Sequence, residues 1–317
     1  MLINQLNPKC SFLTIIPLVI IAQLSCATGK KISESNYNIQ LSPPGVIQID
    51  SNLYCDQTEV TNLSWREYMF WNERIFGKNS SEYLSTLPDT LVWVANFDCL
   101  ESYVDYYLRH PTYNKYPVVG ISQKQAMAYS KWRSDRVFEN ILIQLKKIKW
   151  DSLQNRNTYF STERYYEGSL KNIETGKKLK FYPLYRLPTI EERSLLLAYM
   201  DSIYIQLLLK CKSKNCDDCL YQHINNQLEI TPCDSSRYKT SPTIRVDGKC
   251  ESRKAWQFSL FNIKGNVNEW TAMDEIAAGG SWLDNRIFVM QNDTSRSSVI
   301  NAGVGLRNVC EWKIWHK

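Results

Sequence analysis

Apolar residues in this chain come in short patches of differing spacing, and each change of spacing marks an element. Gly45-Val46-Ile47-Gln48-Ile49 alternates like a strand. Trp65, Tyr68 and Met69 follow at i, i+3 and i+4, one apolar face of a helix whose expected N-cap is Asn62. Pro117-Val118-Val119-Gly120-Ile121 is strand-like and stops at Ser122, which caps a predicted helix carrying Ala128, Tyr129 and Trp132. Arg186-Leu187-Pro188-Thr189-Ile190-Glu191-Glu192 places Thr189 three residues before Glu192. That spacing predicts a capping box, in which hydroxyl and carboxylate each satisfy an orphan backbone N–H, and an apolar helix through Leu195 to Tyr199.

Other stretches lack such periods. Residues 146–180 are basic and weakly periodic, and are expected to form a surface insertion. Leu260-Phe261-Asn262-Ile263-Lys264-Gly265-Asn266-Val267-Asn268-Glu269-Trp270 is too polar for a core strand and too patterned for a random loop. Ala278-Gly279-Gly280-Ser281-Trp282 and Gly303-Val304-Gly305-Leu306-Arg307 point to turns or close backbone packing.

The N-terminal pattern is different again. Lys9 precedes an apolar run over residues 12–22, broken by Thr14 and Pro17. The run has signal-peptide length and falls short of the roughly 20 apolar residues of a membrane span. It ends at Gln23-Leu24-Ser25-Cys26-Ala27. A small residue before a cysteine at this place is expected to make Cys26 the lipidated first residue of an exported lipoprotein. Gln23 stands where bacterial lipoboxes usually carry Leu, and ordinary cleavage near Ser25 is the alternative. Residues 27–45 are polar, contain Pro43-Pro44 and are expected to be a tether. The folded body is then a single domain over residues 46–317, with insertions at about 140–182 and 205–250.

Composition narrows the function. Of 317 residues, 44% are hydrophobic and 22% charged, so the chain is long and apolar enough for one large domain and carries no charged disordered tail. The net charge of +6 is dispersed. With no run of five basic residues and no aromatic-basic stripe, nucleic acid is not an expected partner. Beyond Cys26 there are eight cysteines: Cys55, Cys99, Cys211, Cys216, Cys219, Cys233, Cys250 and Cys310. An even number suits an exported, disulfide-stapled protein, although Cys211-x4-Cys216-x2-Cys219 is also a spacing that can hold a metal.

Taken in order, these motifs resemble the formylglycine-generating-enzyme (sulfatase-modifying factor) domain. Asp56-Gln57-Thr58-Glu59-Val60-Thr61-Asn62 is similar to its opening Asp-x-x-Glu-Val-Thr-Asn. Residues 117–122 resemble Pro-Val-x-x-Val-Ser, and Arg186-Leu187-Pro188-Thr189 with Glu192 resembles Arg-Leu-Pro-Thr-Glu-Ala-Glu-Trp-Glu. Residues 260–270 resemble Leu-Tyr-Asp-Met-x-Gly-Asn-Val-x-Glu-Trp. Gly279-Gly280-Ser281-Trp282 and Gly305-Leu306-Arg307 resemble the closing Gly-Gly-Ser-Trp and Gly-Phe-Arg. The resemblance implies an irregular, loop-rich α+β fold related to C-type lectins. Asp89-Thr90-Leu91-Val92-Trp93, Tyr106-Tyr107-Leu108-Arg109-His110-Pro111 and Tyr116-Pro117-Val118-Val119-Gly120 are together similar to the branch holding the gliding-motility and type IX secretion lipoproteins GldJ and GldK, which agrees with a lipid on Cys26.

The resemblance also implies chemistry, and here the chain departs from it. The enzyme holds copper with two cysteines just after Gly-Gly-Ser-Trp, because soft thiolates bind Cu(I). Those positions fall at Asp284 and about Val289, and no cysteine lies between Cys250 and Cys310, so no copper is expected. Iron-dependent relatives use histidine pairs, whereas His110, His223 and His316 form no His-x3-His. The family's calcium loop keeps its pattern at Asn262, Gly265, Val267 and Glu269, with Asn268 where Trp is usual, so calcium is the cofactor the resemblance leaves open. Ser281, Trp282, Asp284 and Arg307 are the candidate binding groove. A Cys55–Cys310 disulfide would staple the first and last motifs. The expected function is a noncatalytic, envelope-anchored structural or binding component in the bacterial outer membrane, with protein partners. The alternatives are a diverged metal-dependent oxidoreductase and a lectin-like module for peptide or glycan.

Overall fold

The structure, a computed structural model, describes residues 43–95, 98–170, 178–210, 243, 245–246, 260–284 and 299–316. Cys26, Cys211, Cys216, Cys219, Cys233, Cys250, Val289 and the expected insertion beyond residue 210, apart from residues 243 and 245–246, lie outside them.

The alternating segment forms β1 (Val46–Gln48), antiparallel to β2 (Tyr54–Asp56). α1 (Asn62–Phe76) follows, but its cap is Thr61, whose Oγ1 accepts from the Ser64 N–H at 3.1 Å. Asn62 is instead fully buried, donating from Nδ2 to the carbonyls of Tyr107 (3.0 Å) and Tyr113 (3.1 Å). A side chain tied to a distant loop cannot also cap its own helix.

α2 (Ser81–Leu84) and α3 (Glu101–Tyr106) are short and lead to residues 117–121. This run is extended but makes only an isolated bridge, Pro117 to Thr61. Gly120 explains why it goes no further as a strand. Its φ is +72°, and a Cβ there would collide with the Asp89 carbonyl. α4 (Gln123–Gln144) starts as expected at Ser122, with a capping box completed by Gln125. It buries Ala126 and Tyr129, while Ala128 is exposed.

The basic segment after α4 contains α5 (Thr162–Glu167) and its own apolar cluster. Ile148, Phe160, Tyr165 and Tyr166 pack on Phe138 and Leu142 of α4. Tyr165 and Tyr166 come from the short α5, while Ile148 and Phe160 come from the connections around it, so the sequence shows no sustained period there.

β3 (Phe181–Arg186) leads into α6 (Ile190–Lys210). The expected capping box is present: Glu192 Oε2 accepts from Thr189 N (2.9 Å) and Thr189 Oγ1 from Glu192 N (3.2 Å). Beyond it come β4 (Asn268–Trp270), β5 (Ala277–Ala278), β6 (Val304–Gly305) and β7 (Val309–Ile314). One sheet has the order β1-β2-β7-β3 with antiparallel neighbours, so the last strand lies between the first motif and β3. The other is β5-β4-β6, with β4 and β6 parallel. Neither sheet closes into a barrel, and the architecture is α+β and loop-rich.

The main core joins α1, α4 and the second sheet. Trp65 stacks on Tyr129 with ring centroids 5.2 Å apart, and Trp270, Val304 and Leu306 complete the cluster. Among the described residues no helix is long and apolar enough to cross a membrane.

Candidate functional site

The polar 260–270 segment is the centre of the second sheet and of a buried charge network. Asn262, Gly265 and Asn266 take positive φ (52°, 87° and 63°), which turns the chain tightly before β4. β4 itself is a strand, contrary to the expectation from its polarity. Asn268, Glu269 and Trp270 are all buried because their polar atoms find partners in the fold.

Glu269 receives two arginines. Arg193, one turn into α6, donates from Nη1 to Oε2 at 2.8 Å, and Arg307 donates from Nε to Oε1 at 2.8 Å. Arg307 also donates to the carbonyls of Asp56 (3.0 Å) and Phe261 (2.5 Å), and is fully buried. Its Nη2 lies 3.8 Å from Glu59 Oε2. Glu59 accepts from Asn262 Nδ2 (3.1 Å) and Asn266 Nδ2 (2.8 Å). Burial pushes the Glu59 carboxyl up to about 7, against the pull of Arg307. For Arg307, burial lowers its proton affinity, but Glu269 and Glu59 outweigh that and hold it above its ordinary value.

These contacts decide whether the calcium pattern fits a cation. Both carboxylate oxygens of Glu269 accept from guanidinium N–H groups, and the Ile263 carbonyl accepts from Arg193 Nη2 at 2.6 Å. Asn262 presents its amide nitrogen, a donor, to Glu59. Calcium needs six to eight oxygen ligands, and Glu269, the charged ligand of the set, is taken by arginine. Among the described residues no group of three acidic, His or Cys side chains is placed to hold a metal. As folded, the loop does not fit calcium.

The closing motif forms a second, adjoining constellation. Asp284 Oδ2 accepts from Ser281 N (2.7 Å), Ser281 Oγ (2.7 Å) and Asn268 Nδ2 (2.9 Å). The Asn268 Oδ1 accepts from Gly280 N at 2.8 Å. Trp282 is fully buried, donates from Nε1 to the Ala302 carbonyl (2.9 Å) and stacks parallel to Trp93 with ring centroids 6.2 Å apart. Tyr103, Tyr107 and Tyr113 extend this aromatic wall. Ser281, Trp282 and Asp284 therefore come together in one turn, whereas Arg307 belongs to the ion network. With Ser281, Trp282 and Arg307 all buried, these four residues do not line one open groove.

The expected Cys55–Cys310 disulfide is corrected. Both are free and buried. They sit on paired strands, but Cys55 is opposite Val309 and Cys310 is opposite Tyr54. Successive side chains on a strand point to opposite faces. Cys55 accordingly packs with Leu196, Met200 and Val309, and Cys310 with Tyr54 and Tyr185. Burial raises both thiols well above their ordinary range. Cys99 is disulfide-bonded.

An α+β domain whose short strands converge on a buried Arg–Glu network, closed by a Gly-Gly-Ser-Trp turn, is the class this geometry defines. The chain belongs to the sulfatase-modifying factor enzyme 1-like domain family, whose model matches residues 18–312. No curated protein matches it. Among solved structures it is similar to the crystal structure of CarF, at 16% identity, with 82% of this chain and 86% of that one covered and a TM-score of 0.37.

The sequence pointed to Glu269 and Arg307 without showing that they pair. It gave no role to Arg193 or Glu59, although Arg193 stands where the quoted family motif has Trp. An arginine in place of that aromatic was the available signal, but it stands among three other departures from the motif, at Ile190, Glu191 and Ser194.

Proposed function

We propose that this chain is a noncatalytic structural or binding component of a bacterial envelope assembly of the gliding-motility or type IX secretion type, anchored through lipid on Cys26. One observation carries the noncatalytic part. The first position at which the family's copper thiols are expected holds Asp284, and its carboxylate is engaged in closing the Ser281 turn. Cys55 and Cys310 supply no substitute, being buried on opposite faces of one sheet. Among the described residues no pair of soft ligands stands beside the Ser281–Asp284 turn, which leaves Cu(I) binding and oxygen activation without a holder there.

The envelope part rests on the pattern of residues 12–26 and on the resemblance of residues 89–93 and 106–111 to the gliding-motility branch. Its experiment is affinity purification of the full-length chain from membranes beside a Cys26→Ser control. Envelope proteins that co-purify with the anchored form support it. A soluble, solitary chain in both preparations overturns it.

A further inference from the structure

The arginine beside Glu269 has a geometry that a mere surface ion pair would not. Arg193 is only 2% exposed, and its guanidinium bridges the Glu269 carboxylate and the Ile263 carbonyl. These are oxygens from both halves of the 262–269 loop, one charged and one from the backbone. A metal ion in such a loop would join the same two kinds of oxygen. Gly279 makes the room. It has φ +117°, and a Cβ on it would run into Arg193 Nη2 and Cζ. The loop is then locked to the closing motif by Gly265 N donating to the Gly279 carbonyl at 2.9 Å. We infer that the Arg193 guanidinium is the resident cation of the 262–269 loop, so that this chain holds the loop in shape without calcium.

Charge supports the assignment. Arg193 and Arg307 face Glu59 and Glu269, a balanced set when Glu59 is ionised and one positive charge in excess when it is protonated. A divalent ion would add charge of the wrong sign in either state. A planar guanidinium, by contrast, donates along fixed directions to two acceptors at once, which a single ammonium does less well.

The test uses the full-length protein, stripped with a chelator and melted with and without calcium, as wild type, Arg193→Lys and Arg193→Met. The wild-type Tm is expected to be the same in chelator and in millimolar calcium, with no calcium retained on equilibrium dialysis. Arg193→Met leaves Glu269 short of a partner and is expected to lower Tm by on the order of 10 °C. Arg193→Lys is expected to fall between the two. A saturable, calcium-dependent rise of the wild-type Tm, or one calcium retained per chain, overturns the inference. So does an Arg193→Met protein that melts with the wild type. The wild-type measurement decides the matter even if the methionine variant does not fold, and neither arm depends on whether the protein works in the envelope.

Discussion

Asn268 Nδ2 donates to Asp284 Oδ2 at 2.9 Å. Each stands at a position where the resembled family pattern has another residue, Trp for Asn268 and a copper-binding cysteine for Asp284. The two departures touch, and the half-buried Asp284 carboxylate accepts from the buried Asn268 amide. A cysteine at 284 would leave the Asn268 amide and the Ser281 N–H and hydroxyl without their acceptor.

Asp284→Ala removes that acceptor from three donors. Hydrogen bonds to a charged group contribute roughly 1.5–3 kcal/mol each when buried and are not additive. The variant is expected to lose about 2–3 kcal/mol, read as a lower urea midpoint. Asp284→Asn, which keeps one acceptor oxygen, is expected to recover part of the loss. An Asp284→Ala midpoint equal to wild type would mean the turn is held by something else.

The two free thiols are expected to be silent in the native protein. With raised pKa and full burial, Cys55 and Cys310 present little thiolate to a reagent. Alkylation followed by peptide mass mapping should leave both unmodified until denaturant is added. A Cys55–Cys310 cross-linked peptide in a non-reducing map would contradict the strand register.

Local signals were the ones legible in the sequence. The cap at Ser122 and the capping box at Thr189 lie within a few residues of their partners, so spacing alone reveals them. β1 was legible for the same reason. What could not be read depended on contacts made far along the chain. Asn62 gave up the cap to bind Tyr107 and Tyr113 carbonyls, and its neighbour Thr61 took the role. The Cys55–Cys310 pairing failed on strand parity, which a one-residue difference in register reverses. The polar β4 strand became a core strand because Arg193 and Arg307 reach Glu269 from residues 76 and 38 positions away.

Stability should fall as pH rises through neutrality. Glu59 moves from 4.5 to about 7 on burial, and Asp135, also mainly through burial, from 3.8 to about 6. A carboxyl raised in the folded state binds more protons there than when unfolded, so its contribution is fully present below about pH 4 and lost as pH passes the folded value. Carboxyls held low by partners, such as Glu192 with Arg186, change stability only below the ordinary carboxylate range, so among the described carboxyls Glu59 and Asp135 act in the neutral window. The unfolding free energy read from urea titrations is therefore expected to decline between pH 5 and pH 8, by up to about 3 kcal/mol for Glu59, with the midpoint falling accordingly. Glu59→Gln should flatten that decline, and a wild-type midpoint that is itself flat over this interval would show Glu59 to be ionised throughout.

Whether the turn around Trp282 retains the family's chemistry is tested most directly by turnover. The purified full-length chain, loaded with copper under reductant and oxygen, would be incubated with a cysteine-containing peptide and the peptide followed by mass. The account predicts an unchanged peptide at every time point. Conversion of its cysteine to formylglycine would contradict it.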